Sequence, residues 1–226
     1  MKIIAIDTAF RDGRIAVVED GKITAEDFLE AGRLESHTFT SIVKLGVPPN
    51  LEGIDLLALA AGPGSFTGLK IGAMVAKSLS FLQGIPLKGV GTLPWLAASS
   101  GAGIVLPYIK SHGKRYYWGL YKNPDSKEPG NLPDGLIPPS VSEVQEIVNS
   151  VSTAGFWDGI ITAGRNDGDE PPGFPWDGIK VDLDLSKLAA LATAKLDAEG
   201  PDDPITFTPI YVSRSQAEEK MGRKET

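Results

Sequence analysis

The most informative stretch of the chain is residues 54–72, IDLLALAAGPGSFTGLKIG. The apolar run Ile54–Ala61 predicts a strand that is buried on both faces. The glycine-rich turn Gly62–Gly68 follows directly, and the apolar spacing after it predicts a helix that ends near Gln83, just before Gly84. This strand, turn and helix form the unit around which the other elements are predicted.

Three strands and a short helix are predicted before this unit. The strands are Lys2–Ile6, Arg14–Val18 and Lys22–Leu29. Asp20-Gly21, between the last two, suits a tight hairpin turn. Ser36 is the expected N-cap of the helix, and Pro48-Pro49 marks its end. One face of that helix carries residues at helical spacing: Phe39, Ile42, Val43 and Gly46.

The second half repeats the pattern less regularly. Further strands are predicted at Pro86–Gly91, Ile104–Ile109, Arg115–Tyr121 and Gly159–Ala163. Further helices are predicted at Thr92–Ser99, Ser140–Val148 and Leu185–Leu196. Residues 123–139 and 165–178 are rich in proline, glycine and aspartate, which predicts loops. We therefore expect an α/β fold with two related lobes, at residues 1–100 and 101–226.

Composition excludes several kinds of site. The 226 residues are 42% hydrophobic, enough for a sizeable core, and the absence of cysteine excludes disulfides, thiolate metal sites and a cysteine nucleophile. Asp7 interrupts the first apolar run too early for a signal peptide or a membrane span, so we expect a cytoplasmic protein with no membrane contact. The net charge of −7 opposes direct binding of nucleic acid. The mixed charges of residues 214–225 are typical of a solvated tail.

The glycine-rich turn has two interpretations. A turn that leads into a helix N-terminus can bind phosphate, because free backbone N–H groups and the helix dipole point toward the anion. The Walker pattern is not met, since Leu69 separates Gly68 from Lys70, and the dinucleotide pattern requires a glycine where Thr67 stands. Alternatively, the glycines permit a sharp turn and close helix packing, with Ser65 as the N-cap.

No complete catalytic set is visible in the sequence. Asp7 and Thr8, at the end of the first strand, can orient a metal-bound phosphate or activate water, although turn chemistry is the commoner role of such a pair. His37 and His112 have no second histidine at the spacing of a zinc motif. Ser65 lacks the Gly-x-Ser-x-Gly frame of a nucleophile elbow, which disfavours peptidase activity.

The helix after the glycine-rich turn is apolar on two sides. One side is expected to face the sheet: Ile71, Gly72, Val75, Ala76, Leu79 and Leu82. The opposite side carries Phe66, Lys70, Ala73, Met74, Lys77 and Phe81. A simple surface helix does not turn two phenylalanines and a methionine toward water, so the helix at Thr38–Leu45 covers this side, another protein does, or both hold and the two helices present one composite surface.

The strand at Lys114–Tyr121 combines basic and aromatic residues. Such a surface can stack on nucleic-acid bases. A strand with half of its aromatic side chains buried is the commoner explanation of the pattern.

The segment Gly62–Gly72 resembles the signature of the TsaB (YeaZ) family, in which arginine is usual at the position of Lys70. The opening IIAIDT at residues 3–8, Glu35-Ser36-His37 and Pro209-Ile210-Tyr211-Val212 are similar to the same family, in the same order. The resemblance is strong over the first hundred residues and weak after them.

The resemblance implies a two-lobed actin/hexokinase/Hsp70-like (ASKHA) fold with RNase H-like lobes. It implies a non-catalytic scaffold subunit of the bacterial complex that makes threonylcarbamoyladenosine in tRNA, paired with a TsaD-like paralogue and joined by a TsaE-like ATPase. Contact with tRNA is expected only through the complex, and a homodimer through the same surface is also implied. No tightly bound cofactor is expected, with at most weak binding of ATP or ADP.

Two groups of residues follow from this interpretation. The partner interface is expected at Thr38, Ser41, Leu45, Phe66, Lys70, Ala73, Met74, Lys77 and Phe81. A vestigial phosphate site is expected at Asp7, Thr8, Gly62, Gly64 and Ser65, with no catalytic residue and no metal ligand. The competing hypothesis is an ATP-dependent small-molecule kinase of the same fold, which would use Asp7 and the Gly62–Ser65 loop.

Overall fold

The computed structural model describes residues 1–30, 32–101, 103–124, 130–156, 158–165 and 173–212. Sheet A contains β1 (Lys2–Asp7), β2 (Gly13–Glu19), β3 (Lys22–Leu29), β4 (Leu56–Gly62) and β5 (Leu87–Gly91). Sheet B contains β6 (Ile104–Lys110), β7 (Arg115–Lys122), β8 (Asp134–Glu143), β9 (Ile160–Arg165) and β10 (Gly178–Val181). The helices of these ranges are α1 (Leu34–Lys44), α2 (Phe66–Gln83), α3 (Thr92–Ser100), α4 (Val144–Thr153) and α5 (Leu185–Glu199).

The two sheets share one topology. Their strand orders are β3-β2-β1-β4-β5 and β8-β7-β6-β9-β10. In each sheet the first three strands form an antiparallel meander. The last two strands in each sheet then join in parallel. The structure thus confirms the prediction of two related halves in an α/β fold.

The elements stack in layers around the two sheets. Helices α1 and α2 cover one face of sheet A, helices α3 and α5 pack between the sheets, and α4 covers the far face of sheet B. Helix α5 contacts β1, β4 and β5, and the segment after it returns to β4, where Ile210 N–H donates to the carbonyl of Ala61 at 2.7 Å. Residues 185–211 therefore lie with sheet A, although the expected division at residue 100 assigned them to the second lobe.

The predicted boundaries fail mainly in the second half. Residues 134–139, predicted as a loop, begin β8, and Ser140–Glu143, predicted as helix, continue that strand. Helix α4 begins at Val144, where Glu143 and Glu146 form a capping box. Strand β10 was not predicted. Residues 134–143 form a strand because they pair with β7. The prolines in this strand are tolerated because β8 lies at the edge of its sheet.

The start of α1 also differs from the prediction. Its N-cap is Arg33, so Ser36 lies within the first turn, where its hydroxyl donates to the carbonyl of Arg33 at 3.2 Å. The hydroxyl thus satisfies a carbonyl near the helix start instead of capping an N–H group. Ser65 does cap α2, since its Oγ accepts a hydrogen bond from the N–H of Gly68.

Close packing of α2 on the end of β1 requires glycine. A Cβ atom at Gly68 would lie 2.0 Å from the carbonyl oxygen of Thr8, and one at Gly72 would lie 2.1 Å from its Oγ1. A Cβ atom at Gly64 would lie 2.3 Å from the carbonyl oxygen of Ala9. Any larger residue would push the helix away from the strand, so these glycines set the position of α2.

We predict that Gly68→Ala destabilises the chain by ~2–4 kcal/mol, because the added methyl group meets rigid backbone. Urea denaturation measures the change. Gly103→Ala is the matched control, since an added Cβ atom there meets nothing within 4 Å. Equal midpoints for the two variants would show that α2 shifts at no cost and would contradict the assigned role.

Candidate functional site

Helices α1 and α2 pack side by side and leave an apolar surface exposed. On α2, Met74 is 63% exposed and Phe81 is 65% exposed. On α1, Phe39 and Val43 are 56% and 55% exposed. Helix α1 therefore does not cover Met74 and Phe81, which excludes that explanation for these two residues. We define Phe39, Val43, Met74 and Phe81 as the helix-pair surface.

The position of α1 corrects the expected interface. The chain itself buries three residues that were expected to face a partner: Thr38, Ser41 and Ala73. Helix α1 packs against β2, β3 and α2, which enclose one side of it. Phe39 and Val43 lie outside this contact, although their spacing placed them on one face with the buried Ile42. Leu82, expected to face the sheet, is exposed at the last turn of α2.

The C-terminal segment, residues 200–211, lies along the other side of α2. The Nζ atom of Lys77 donates to the carbonyl oxygens of Ile205 at 3.2 Å and of Phe207 at 2.8 Å. A groove of about 400 Å³ separates α2 from this segment and is lined in part by Lys70, Met74, Phe207 and Tyr211. Lys77, expected to contact a partner, is thus half-buried and holds the chain's own C-terminal segment.

Three other expected interface residues lie at the border of the helix-pair surface. Phe66 is half-buried, with its ring centroid 5.0 Å from that of Tyr211. The Nζ atom of Lys70 is 4.3 Å from the centroid of the Phe66 ring, and the Lys70 side chain is exposed. Leu45 is half-buried at the end of α1. Each of these residues is at least partly accessible to a partner.

The glycine-rich turn is packed against its own chain. The N–H of Ser65 donates to the carbonyl of Ala9 at 2.6 Å, and the N–H of Gly62 donates to Oγ1 of Thr92 at 3.1 Å. Two of the donors that a phosphate would need at this turn are thus engaged. The contacts give the turn a packing role and leave it poorly suited to an anion.

Asp7 lies fully buried at the end of β1. Its Oδ1 accepts a hydrogen bond from the N–H of Ala9 at 2.9 Å, while its Oδ2 and the Oγ1 of Thr8 have no hydrogen-bond partner among the described residues. Burial raises the pKa of Asp7 to about 6, although the hydrogen bond from Ala9 and the charges of Arg165 and Arg14 act in the opposite direction. The carboxyl group is enclosed, whereas orienting a bound phosphate requires an accessible one.

No second site is assembled in the described part of the chain. The residues described there contain no group of three or more His, Asp or Glu side chains arranged to hold a metal ion. His37 lies on α1 and His112 lies in the turn between β6 and β7. Trp118 and Tyr121 of β7 are buried, which confirms the structural interpretation of that aromatic strand. No helix within the described ranges is long and apolar enough to cross a membrane.

Comparisons with known proteins identify relatives. A family model for TsaD, tRNA N6-adenosine threonylcarbamoyltransferase, matches residues 45–150. The tRNA threonylcarbamoyladenosine biosynthesis protein TsaB of Escherichia coli strain K12 is 32% identical over 133 residues, which cover 56% of this chain and 57% of that protein. The TsaB protein of Bacillus subtilis strain 168 is 31% identical over 127 residues, which cover 54% and 56%. The match thus spans a little over half the length of these curated relatives.

A solved structure shows the same fold. YeaZ from Pseudomonas aeruginosa aligns with a TM-score of 0.71 at 20% sequence identity, over 93% of this chain and 99% of that chain. Together with the two related sheets, this likeness confirms the expected two-lobed ASKHA fold.

We predict that the Asp7→Asn variant is more stable than the parent chain at neutral pH, because the parent loses stability when the buried Asp7 ionises. The pKa of Asp7 is raised from 3.8 to about 6 in the folded chain. The folded state therefore binds this proton more tightly than the unfolded state, and the resulting stabilisation is lost as the pH rises through about 6. Asparagine keeps the acceptor for Ala9 without the charge. The advantage of the variant over the parent should grow by ~1–3 kcal/mol between about pH 4 and about pH 8.

Urea denaturation at a series of pH values measures this difference. Asp197→Asn, at an exposed position near the end of α5, is the control and should not show the same trend. Parallel profiles for Asp7→Asn and the parent would contradict the assigned burial of the charge.

Proposed function

We propose, on the premise that the chain belongs to the TsaB (YeaZ) family, that it is a non-catalytic scaffold subunit in the biosynthesis of threonylcarbamoyladenosine in tRNA. In this proposal a TsaD-like paralogue binds the chain and transfers the threonylcarbamoyl group to adenosine. A TsaE-like ATPase joins the assembly, and tRNA reaches the chain only through the complex. The isolated chain forms a homodimer through the surface that binds the paralogue. The proposed compartment is the cytoplasm.

The observation that carries the proposal is the helix-pair surface. Its four apolar side chains lie on two adjacent helices and are each more than half exposed. Exposed apolar area is unfavourable in water by roughly 25 cal/mol per Å², so a partner that covers it gains stability. Phenylalanine and methionine are also enriched at the centres of protein interfaces. A second polypeptide is the occupant that fits this chemistry best.

The charges differ between the α2 side and the α1 side of this surface. Residues 56–124, which include all of α2, contain no aspartate or glutamate. Lys70 is exposed beside the groove, whereas Lys77 is engaged by the C-terminal segment. An acidic side chain of a partner would therefore be attracted to Lys70, whereas the exposed Glu35 of α1, one turn from Phe39, favours a basic side chain there.

The geometry near Asp7 supports the non-catalytic part of the proposal. A phosphotransferase needs an accessible carboxylate and free backbone donors at its phosphate site. Here Asp7 is enclosed, and the N–H groups of Gly62 and Ser65 are engaged by the chain's own oxygen atoms. The proposed role is therefore to present a surface and not to perform chemistry.

We predict that Met74→Asp and Phe81→Asp each weaken binding of the purified TsaD-like paralogue from the same organism at least about tenfold. A buried carboxylate at the centre of an apolar contact loses solvation without gaining a partner. Calorimetry or interferometry measures the dissociation constant. The control is Phe28→Asp on β3, because Phe28 is 68% exposed but pairs with Arg14, on the face of sheet A opposite to α1.

Circular dichroism and thermal melting establish that the variants are folded. Unchanged affinity in both folded α2 variants would show that the assigned surface is wrong. Absence of any binding by the parent chain would remove the pairing with the paralogue from the proposal.

We also propose that the chain binds ATP or ADP weakly at most. Calorimetry with magnesium and ATP should give a dissociation constant on the order of 0.1 mM or weaker, since the donors at the glycine-rich turn are engaged. The competing kinase hypothesis predicts tight binding and magnesium-dependent ATP turnover that Asp7→Asn abolishes. That result would replace the scaffold proposal.

A further inference from the structure

Three side chains join the two lobes across the crevice between the sheets. Arg165, at the end of β9, forms a bidentate ion pair with Asp12, in the turn between β1 and β2. Nη1 lies 2.7 Å from Oδ1 and Nη2 lies 2.8 Å from Oδ2. The guanidinium carbon of Arg165 is also 4.4 Å from the centroid of the Phe10 ring. We call Phe10, Asp12 and Arg165 the crevice latch.

The geometry of the crevice latch is that of a strong contact. Two parallel N–H···O bonds between guanidinium and carboxylate give both energy and a defined orientation. The Arg165 side chain is 12% exposed and that of Asp12 is 59% exposed, so solvent reaches the pair mainly from the Asp12 side. By contrast, Lys2 and Glu19 form a single contact at 3.8 Å between exposed side chains within one lobe.

The crevice latch lies where a ligand would enter an open sheet of this kind. Ligands of α/β folds bind in the crevice outside the carboxyl ends of the strands. Arg165 ends β9, and the turn that carries Phe10 and Asp12 follows the carboxyl end of β1. The same turn holds Ala9, whose carbonyl accepts the N–H of Ser65 from the glycine-rich turn. Asp7 lies fully buried beside it.

We propose that the crevice latch holds the two lobes in one closed arrangement and bars the crevice to ligands. Helices α3 and α5, packed between the sheets, keep the lobes attached at the back of the crevice, while the latch closes its mouth. The helix-pair surface is then presented by a rigid body. This inference does not depend on the identity of the partner, and binding of the paralogue does not enter its test.

The test uses the full chain, whose lack of cysteine allows site-specific labelling. Spin labels at Thr40→Cys on α1 and Thr153→Cys on α4 occupy exposed positions on the outer helices of the two lobes. Pulsed electron resonance gives the distance between them. Hydrogen exchange of the Ala9 amide, which donates to the buried Asp7, reports on opening of the crevice.

Asp12→Ala should broaden the distance distribution toward longer values and speed exchange at Ala9 at least about tenfold. Asp12 is exposed in a turn, so the variant is expected to fold. Arg165→Lys keeps the charge but loses the bidentate geometry, and should change both readouts in the same direction. Glu19→Ala, which removes the pair with Lys2 inside one lobe, is the control and should change neither.

Unchanged distances and unchanged Ala9 exchange in both Asp12→Ala and Arg165→Lys would overturn the inference. So would an equal response in Glu19→Ala, because the effect would then come from general destabilisation. A response confined to the two latch variants supports a specific closure of the crevice.

Discussion

The close approach of α2 to the end of β1 is the contact on which the rest of the molecule depends. Gly68 and Gly72 lie against Thr8 with no room for a Cβ atom, and this contact fixes the rotation of α2 about its axis. At 3.6 residues per turn, Met74 lies about 200° around the helix from Gly72. The glycine contact therefore turns Met74 away from the sheet, and the apolar surface of the helix pair is a geometric consequence of it.

The glycine-rich turn has a structural role in the same region. A turn of this kind before a helix often binds phosphate, but here its N–H groups at Gly62 and Ser65 bond to oxygen atoms of the chain. Asp7 is enclosed beside the turn, and its pKa is raised because burial disfavours the charged form. The residues that were expected to form a phosphate site therefore make structural contacts within the chain, and the exposed apolar side chains lie on the outer helices.

The two lobes share a topology but contribute differently. Sheet A carries the helix pair, while sheet B supplies Arg165 to the mouth of the crevice. The C-terminal segment crosses back to sheet A, where the buried Lys88 lies 2.9 Å from carboxylate oxygens of both Glu199 and Asp202. Breaking such a pair would leave an unpaired buried charge, so the segment is firmly held beside α2. The helix-pair surface, the C-terminal segment and the crevice are thus parts of one connected structure.

Local sequence patterns sufficed for the elements that depend on neighbouring residues. The Ser65 cap and Gly84 mark the ends of α2, and the apolar runs of sheet A mark its strands, so these were predicted nearly to the residue. Helical spacing likewise predicted that Met74 and Phe81 share a side, because that relation follows from the helix repeat alone.

Tertiary structure decided the features that depend on distant residues. Residues 134–139 form a strand because β7 pairs with them, Thr38 is buried because α1 packs on sheet A, and Phe39 is exposed by the same contact. Asp12 and Arg165 are 153 positions apart and meet only when both lobes have folded. No periodicity in a sequence encodes such a meeting, since it arises from the packing of whole elements.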